Sequence, residues 1–159
     1  MNILIAYASK SGTTETCVHI LEQDFNGHAK LVDLTHNEPS LDAYDTVLIG
    51  GPIRYGKLHS SVKKFVKNHL KDLKQKEVGL FICCADVGNA EKYFQTNFPD
   101  ELLEQATAID CFGGEIRSHA LGIFEKFITK LALKSYPADQ QPTILKDNIH
   151  IFADRVEAT

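Results

Sequence analysis

The run Ile3-Leu4-Ile5-Ala6-Tyr7-Ala8 leads without a break into Ser9-Lys10-Ser11-Gly12-Thr13-Thr14, and no other stretch restricts the possible folds so tightly. Six apolar residues in succession read as a strand buried on both faces. The six that follow bring four hydroxyls and a glycine, then an amphipathic stretch, so they read as a turn that opens a helix. Such a turn points backbone N–H groups at an anion, and the helix dipole favours negative charge at the same place. Ser and Thr are also ordinary helix caps, with Thr13 as the capping candidate. Four hydroxyls in six residues exceed what a cap requires. No lysine follows Gly12 as in the G-x-x-x-x-G-K-[ST] loop, and no G-x-G-x-x-G is present. The cradle is therefore short, matched to a terminal monophosphate rather than a pyrophosphate.

The rest of the chain alternates short apolar runs with longer amphipathic ones. Strands are expected at 2–8, 29–33, 46–50, 78–84 and 106–112, and helices at 14–24, 60–74, 89–94, 100–104, 121–134 and 148–158. Alternation of this kind specifies an α/β domain, a doubly wound parallel sheet with helices on both faces, and the strand order expected is 2-1-3-4-5. Ligands of such sheets bind beyond the carboxyl ends of strands 1 and 3, where the winding reverses. Both glycine-bearing signals, the 9–14 loop and Gly50-Gly51-Pro52-Ile53-Arg54-Tyr55-Gly56, fall at those two strand ends. All 159 residues are read as one domain.

Composition narrows the classes of partner. A net charge of −4 opposes nucleic acid as the main ligand. No apolar run approaches the roughly 18 residues that span a bilayer, and the N-terminal apolar run reads as a strand rather than a signal peptide. The four cysteines, Cys17, Cys83, Cys84 and Cys111, have no C-x-x-C spacing. They are expected as reduced thiols in a cytoplasmic protein, packed as small hydrophobes. The vicinal Cys83 and Cys84 should face opposite sides of the sheet. The histidines are scattered, and no metal site is expected. Seven lysines (Lys57, Lys63, Lys64, Lys67, Lys71, Lys74 and Lys76) cluster beside the second glycine loop, and Lys126, Lys130 and Lys134 recur every four residues. They read either as solvated helix faces or as a docking field for an acidic protein or an anionic lipid surface.

The residues of the two loops resemble a known family. The 9–14 loop is similar to the flavodoxin phosphate loop, T/S-x-T/S-G-x-T. The Gly50–Gly56 run resembles the flavin loop of the flavodoxin-like bacterial protoporphyrinogen oxidases, which use FMN and pass electrons to quinone. The similarity continues through Ser61–His69, Gln95-Thr96-Asn97, Gly113-Gly114 and Phe124–Lys134. The resemblance implies a flavodoxin-like fold with FMN at the ends of strands 1, 3 and 4. Ser9, Lys10, Ser11, Gly12, Thr13 and Thr14 would hold the phosphate. Pro52, Ile53, Arg54, Tyr55 and Gly56 would form one wall, with Tyr55 stacked on the flavin and Gly56 offering a carbonyl to the reduced ring. Ala85, Asp86, Val87, Gly88 and Asn89 would form the other wall, mainly through backbone. Arg54, Tyr55 and Arg117 are the candidates for the reacting centre.

Three functions fit these residues. One is an oxidoreductase taking a small-molecule substrate, such as a porphyrinogen, and delivering electrons to a quinone at or near the inner face of the cell membrane. The second is a flavodoxin-type carrier that only docks to redox partner proteins, and the third is an FMN-binding regulatory module. The first two differ in what they ask of the surface: the enzyme needs cationic side chains at the flavin edge, the carrier a basic docking face.

Overall fold

The computed structural model describes residues 1–114 and 143–159. Five parallel strands form the sheet, and their order follows from which runs are apolar on both faces. β1 (Ile3–Tyr7) is buried throughout and lies between β2 (Ala29–Asp33) and β3 (Thr46–Arg54). β5 (Glu77–Cys83) pairs with β3, and β6 (Ala108–Cys111) closes the edge. The order β2-β1-β3-β5-β6 is the expected 2-1-3-4-5 once a two-residue strand, β4 (Lys57–Leu58), is set aside.

β4 marks the main departure from the sequence reading. Strand 3 was expected to end at Gly50, with a loop to Gly56. Instead β3 continues to Arg54 because its pairing with β5 persists through Gly51↔Ile82 and Pro52↔Cys83. The chain then folds back in a hairpin, Ile53 opposite Leu58 and Arg54 opposite Lys57. Its two corner residues, Tyr55 and Gly56, have φ of +53° and +76°. Positive φ at both positions matches the right-handed twist of a hairpin. Glycine adopts it freely, whereas a tyrosine there is uncommon.

Alternate residues of each strand feed two separate cores. Leu4, Ala6, Val47, Ile49, Leu80 and Ile82 face α2 (Ser60–Leu73), α3 (Ala90–Asn97) and α4 (Asp100–Gln105). Ile3, Ile5, Leu48 and Phe81 face α1 (Thr13–Asp24) and α5 (Lys146–Glu157). The sheet is thus covered on both sides, as expected of a doubly wound fold. The expected helix over 121–134, with Lys126, Lys130 and Lys134, lies outside the described residues.

In the second core Phe81 stacks on Phe112 at 4.8 Å, and Phe152 of α5 meets both rings edge-on at 6.0 and 5.3 Å. Gly79 makes room for Phe152: a Cβ there would stand 2.8 Å from its Cζ. Edge-to-face rings add to the area they bury. Phe152→Ala is expected to lower unfolding free energy by about 3–5 kcal/mol, the usual cost of emptying a buried aromatic site. Urea denaturation measures it; an unchanged midpoint would mean that α5 does not close this core.

Candidate functional site

The winding reverses between β1 and β3, since β2 flanks β1 on one side and β3 on the other. Three chain segments leave the sheet at adjacent carboxyl ends there: the 9–14 loop after β1, the Arg54–Lys57 hairpin after β3, and residues 84–89 after β5. The structure therefore brings together every described residue singled out in the sequence for the cofactor. Arg117 lies outside the described residues.

The first loop is built around Ser9 and Gly12. Gly12 is the residue before α1, at φ +91°, a left-handed conformation suited to glycine. Ser9 Oγ accepts hydrogen bonds from the N–H groups of Gly12 at 3.2 Å and Glu15 at 3.4 Å. The capping candidate Thr13 is instead the first helical residue, and Ser9 takes the capping role from outside the helix. Thr13 and Thr14 are buried under the loop. The Thr14 hydroxyl approaches the Cys83 thiol but makes no hydrogen bond of ordinary geometry to any group. A buried polar atom without a partner costs roughly 1–3 kcal/mol. An anion seated in the loop would supply the missing acceptor, so the cradle fits a phosphate. Lys10 is exposed at the rim.

The hairpin is held from outside by α3. Asn97 Nδ2 donates to the Gly56 carbonyl at 3.0 Å, and Asn97 Oδ1 accepts from the Leu58 N–H at 3.0 Å. One side-chain amide thus spans the turn and donates to the Gly56 carbonyl. Tyr55 projects from the corner at 70% exposure, the largest exposed ring among the described residues. No core residue claims it, so its face is available to a flat ligand. Arg54 is half-buried, and its Nε is sequestered without a hydrogen-bond partner.

The third segment is tied down by its own side chains. Asp86 Oδ2 accepts from Asn89 Nδ2 at 2.6 Å and from the Tyr93 hydroxyl at 3.1 Å. Asp86 and Asn89 are thus turned on each other, and Val87 between them is exposed. Tyr93 also passes under the hairpin, its Cε1 3.8 Å from where a Gly56 Cβ would be. α3 therefore joins the second and third loops through Tyr93 and Asn97, four residues apart on one helix face.

His59, absent from the sequence candidates, belongs to the same neighbourhood. Its Nδ1 accepts from the Ser61 N–H at 3.1 Å and caps α2. Burial holds its pKa below the ordinary histidine value, and the positive charges of Lys10 and Arg54 add to this against an opposing pull from Asp33. Lys10, Arg54 and Asp33 are thus all close enough to act on one imidazole. The usable signal was positional: a histidine directly before Ser60-Ser61, where a helix begins.

The lysines beside the hairpin divide into two groups. Lys74 pairs with Glu101 at 3.0 Å, and Lys76 donates to the Tyr44 carbonyl at 2.6 Å. Lys63, Lys64, Lys67 and Lys71 are exposed along α2. Among the described residues no group of His, Cys, Asp and Glu is arranged to hold a metal ion, and no helix is long and apolar enough to cross a membrane.

Comparison with known proteins agrees with the fold. The family model for the flavodoxin domain matches residues 4–142, and the chain belongs to that family. Protoporphyrinogen IX dehydrogenase [quinone] of Escherichia coli K12 is 33% identical over 73 residues, 43% of this chain and 40% of that protein. The matched region thus spans two fifths of the relative's length. Flavodoxin 2 of Bacillus cereus superposes with a TM-score of 0.58 at 17% identity, covering 99% of both chains. A Fusobacterium nucleatum flavodoxin, solved with flavin mononucleotide bound, gives 0.55 at 13% identity over 99% of this chain and 97% of its own. At these identities the structures establish a shared fold.

The lowered pKa of His59 has a pH consequence. Between its folded value and the ordinary value near 6.5, the unfolded chain binds more protons than the folded one. Stability therefore falls as pH drops through that window and is undisturbed above it. His59→Asn, which keeps a capping side chain, should flatten the slope of unfolding free energy as pH falls below the ordinary histidine value of 6.5. An NMR titration placing His59 at or above the ordinary histidine value would contradict the assignment.

Proposed function

We propose that this chain is an FMN-dependent redox protein, and that it acts as a protoporphyrinogen dehydrogenase-like enzyme that passes electrons to a quinone. The convergence of three loops at the winding reversal carries the first part of this reading. Ser9, Ser11, Gly12, Thr13 and Thr14 hold the phosphate, with Lys10 at the rim and the α1 N-terminus favouring its charge. Pro52, Ile53, Tyr55 and Gly56 form one wall, with Tyr55 against the ring. Ala85, Asp86, Val87, Gly88 and Asn89 form the other through their backbone. Bound FMN supplies the electron- and hydride-transfer chemistry; the protein supplies binding, orientation and electrostatics.

The enzyme reading rests on Arg54. A half-buried guanidinium next to an exposed aromatic corner suits a substrate that carries aromatic rings and carboxylates. Protoporphyrinogen has that chemistry, and the E. coli relative bears its name. Arg117 is the second cationic candidate. The carrier reading is favoured by a different observation, the exposed row Lys63, Lys64, Lys67 and Lys71 on α2, which would steer an acidic redox partner.

The purified protein is expected to be yellow and to release one equivalent of FMN on denaturation. Removing both threonine hydroxyls (Thr13→Ala with Thr14→Ala) should weaken FMN binding by roughly 1.5–3 kcal/mol for each lost bond to the charged phosphate. Tyr55→Ala should weaken it too, with Tyr55→Phe near wild type. Release of FAD, or unaltered affinity in the threonine pair, would overturn the loop assignment.

The enzyme and the carrier separate in an anaerobic assay of the holoprotein with protoporphyrinogen and a menaquinone analogue. The enzyme requires turnover, slowed at least tenfold by Arg54→Ala with FMN binding retained. The carrier requires no turnover, and electron transfer to a protein partner that falls with added salt and with charge reversal at Lys63, Lys64, Lys67 and Lys71.

A further inference from the structure

Cys83 and Cys84 are sequence neighbours on opposite faces of the sheet, and each meets a second cysteine. Cys83 lies against Cys17 of α1 in one core. Cys84, just past β5, has its Sγ 3.5 Å from Sγ of Cys111, the last residue of β6, in the other core. In the β5–β6 register Cys111 stands opposite Ile82, so Cys84 is two residues further on and on the same face.

We propose that Cys84 and Cys111 are a redox-active dithiol that closes to an intramolecular disulfide when a hydroperoxide enters beside Cys111. Both sulfurs sit at strand ends, where the backbone is leaving the ladder. Closing the 3.5 Å gap to a bond of about 2.05 Å requires a shift of roughly 1.5 Å shared between them. Cys111 also borders a cavity of about 430 Å³, whose other walls include Val87, Phe94, Leu103, Asp110 and Asn148. That cavity is large enough to admit a small oxidant. Cys17 and Cys83 are packed instead among Val18, Leu21 and Phe81.

The pair is polarised. Either thiol can donate to the other, and Cys84 Sγ also approaches the Asp86 carbonyl at 3.6 Å; the Gly113 N–H, 3.4 Å from the Cys111 sulfur, donates to it and favours its thiolate. Cys111 is then the attacking thiolate. It takes the distal oxygen of the peroxide to give a sulfenic acid, and the O–O bond breaks to release water from hydrogen peroxide or an alcohol from an organic hydroperoxide. The Cys84 sulfur attacks the sulfenic sulfur and water leaves. Two thiols lose two electrons and two protons, and the peroxide accepts both. The step involves no flavin and stands apart from the proposed function.

The test is made on the full chain, reduced, freed of reductant and exposed to millimolar hydrogen peroxide before alkylation and mass spectrometry. The expected result is loss of two of the four alkylatable thiols, with a cross-linked peptide in which fragmentation between Cys83 and Cys84 assigns the bond to Cys84 and Cys111. Dithiothreitol should restore all four. Cys83→Ser should keep the cross-link and Cys84→Ser abolish it; should the second variant not fold, the fragment assignment in the wild type decides. A cross-link through Cys17 or Cys83, oxidation of Cys111 without a cross-link, or four thiols intact would each overturn the proposal.

Discussion

The parallel ladder joining β1, β3 and β5 is the constraint on which the site depends. β1 pairs with β3 from Ile3↔Thr46 to Tyr7↔Gly50, while β3 pairs with β5 two residues further, to Pro52↔Cys83. β3 therefore overshoots the exit of β1. Gly51 permits the overshoot, because a Cβ there would press on Val62 Cγ2 at 3.0 Å and approach the Ala8 carbonyl at 3.5 Å. The consequence is a step in the sheet: the 9–14 loop leaves at the lower level and the hairpin rises beside it. A crevice opens between them, with the 9–14 loop on one side and Tyr55 on the other.

That crevice needs support, since a two-residue strand is marginal by itself. α3 provides it from below, with Asn97 spanning the hairpin turn and Tyr93 reaching the Asp86 carboxylate. Hydrogen bonds of this kind contribute about 1 kcal/mol each, but several of them converge on Gly56, Leu58 and Asp86. The positive φ of Tyr55 is a local cost of the sort that persists where surrounding structure over-determines it. The result is an aromatic ring held out in solvent on a rigid corner.

The same strand periodicity that separates the two cores also distributes the cysteines. Successive residues point to opposite faces, so Cys83 joins Cys17 under α1 while Cys84 joins Cys111 under α3. An adjacent pair thus becomes two distant pairs. Burial in the reduced state and chemistry at a strand end are compatible, because Cys111 is packed on one side and borders a cavity on the other.

Apolar runs and their spacing were enough to specify the parallel sheet, its strand order and the positions of α1, α2 and α4 to within a residue or two. They act through burial, which is local in sequence and periodic. The phosphate cradle was legible for the same reason, since a strand, a hydroxyl-rich turn and a helix are consecutive. The hairpin was not, because Gly50–Gly56 carries the turn residues of a loop. Whether it continues as a strand was decided by a ladder to β5, whose partners lie 31 residues further along the chain. Nor could the sequence reveal that Ser9 would displace Thr13 as the cap, that Asn97 would hold Gly56, or that Cys84 would face Cys111. The Asn97 and Cys84 contacts join residues brought together only by the winding of the sheet, and the Ser9 contact depends on how the 9–14 loop closes over the start of α1.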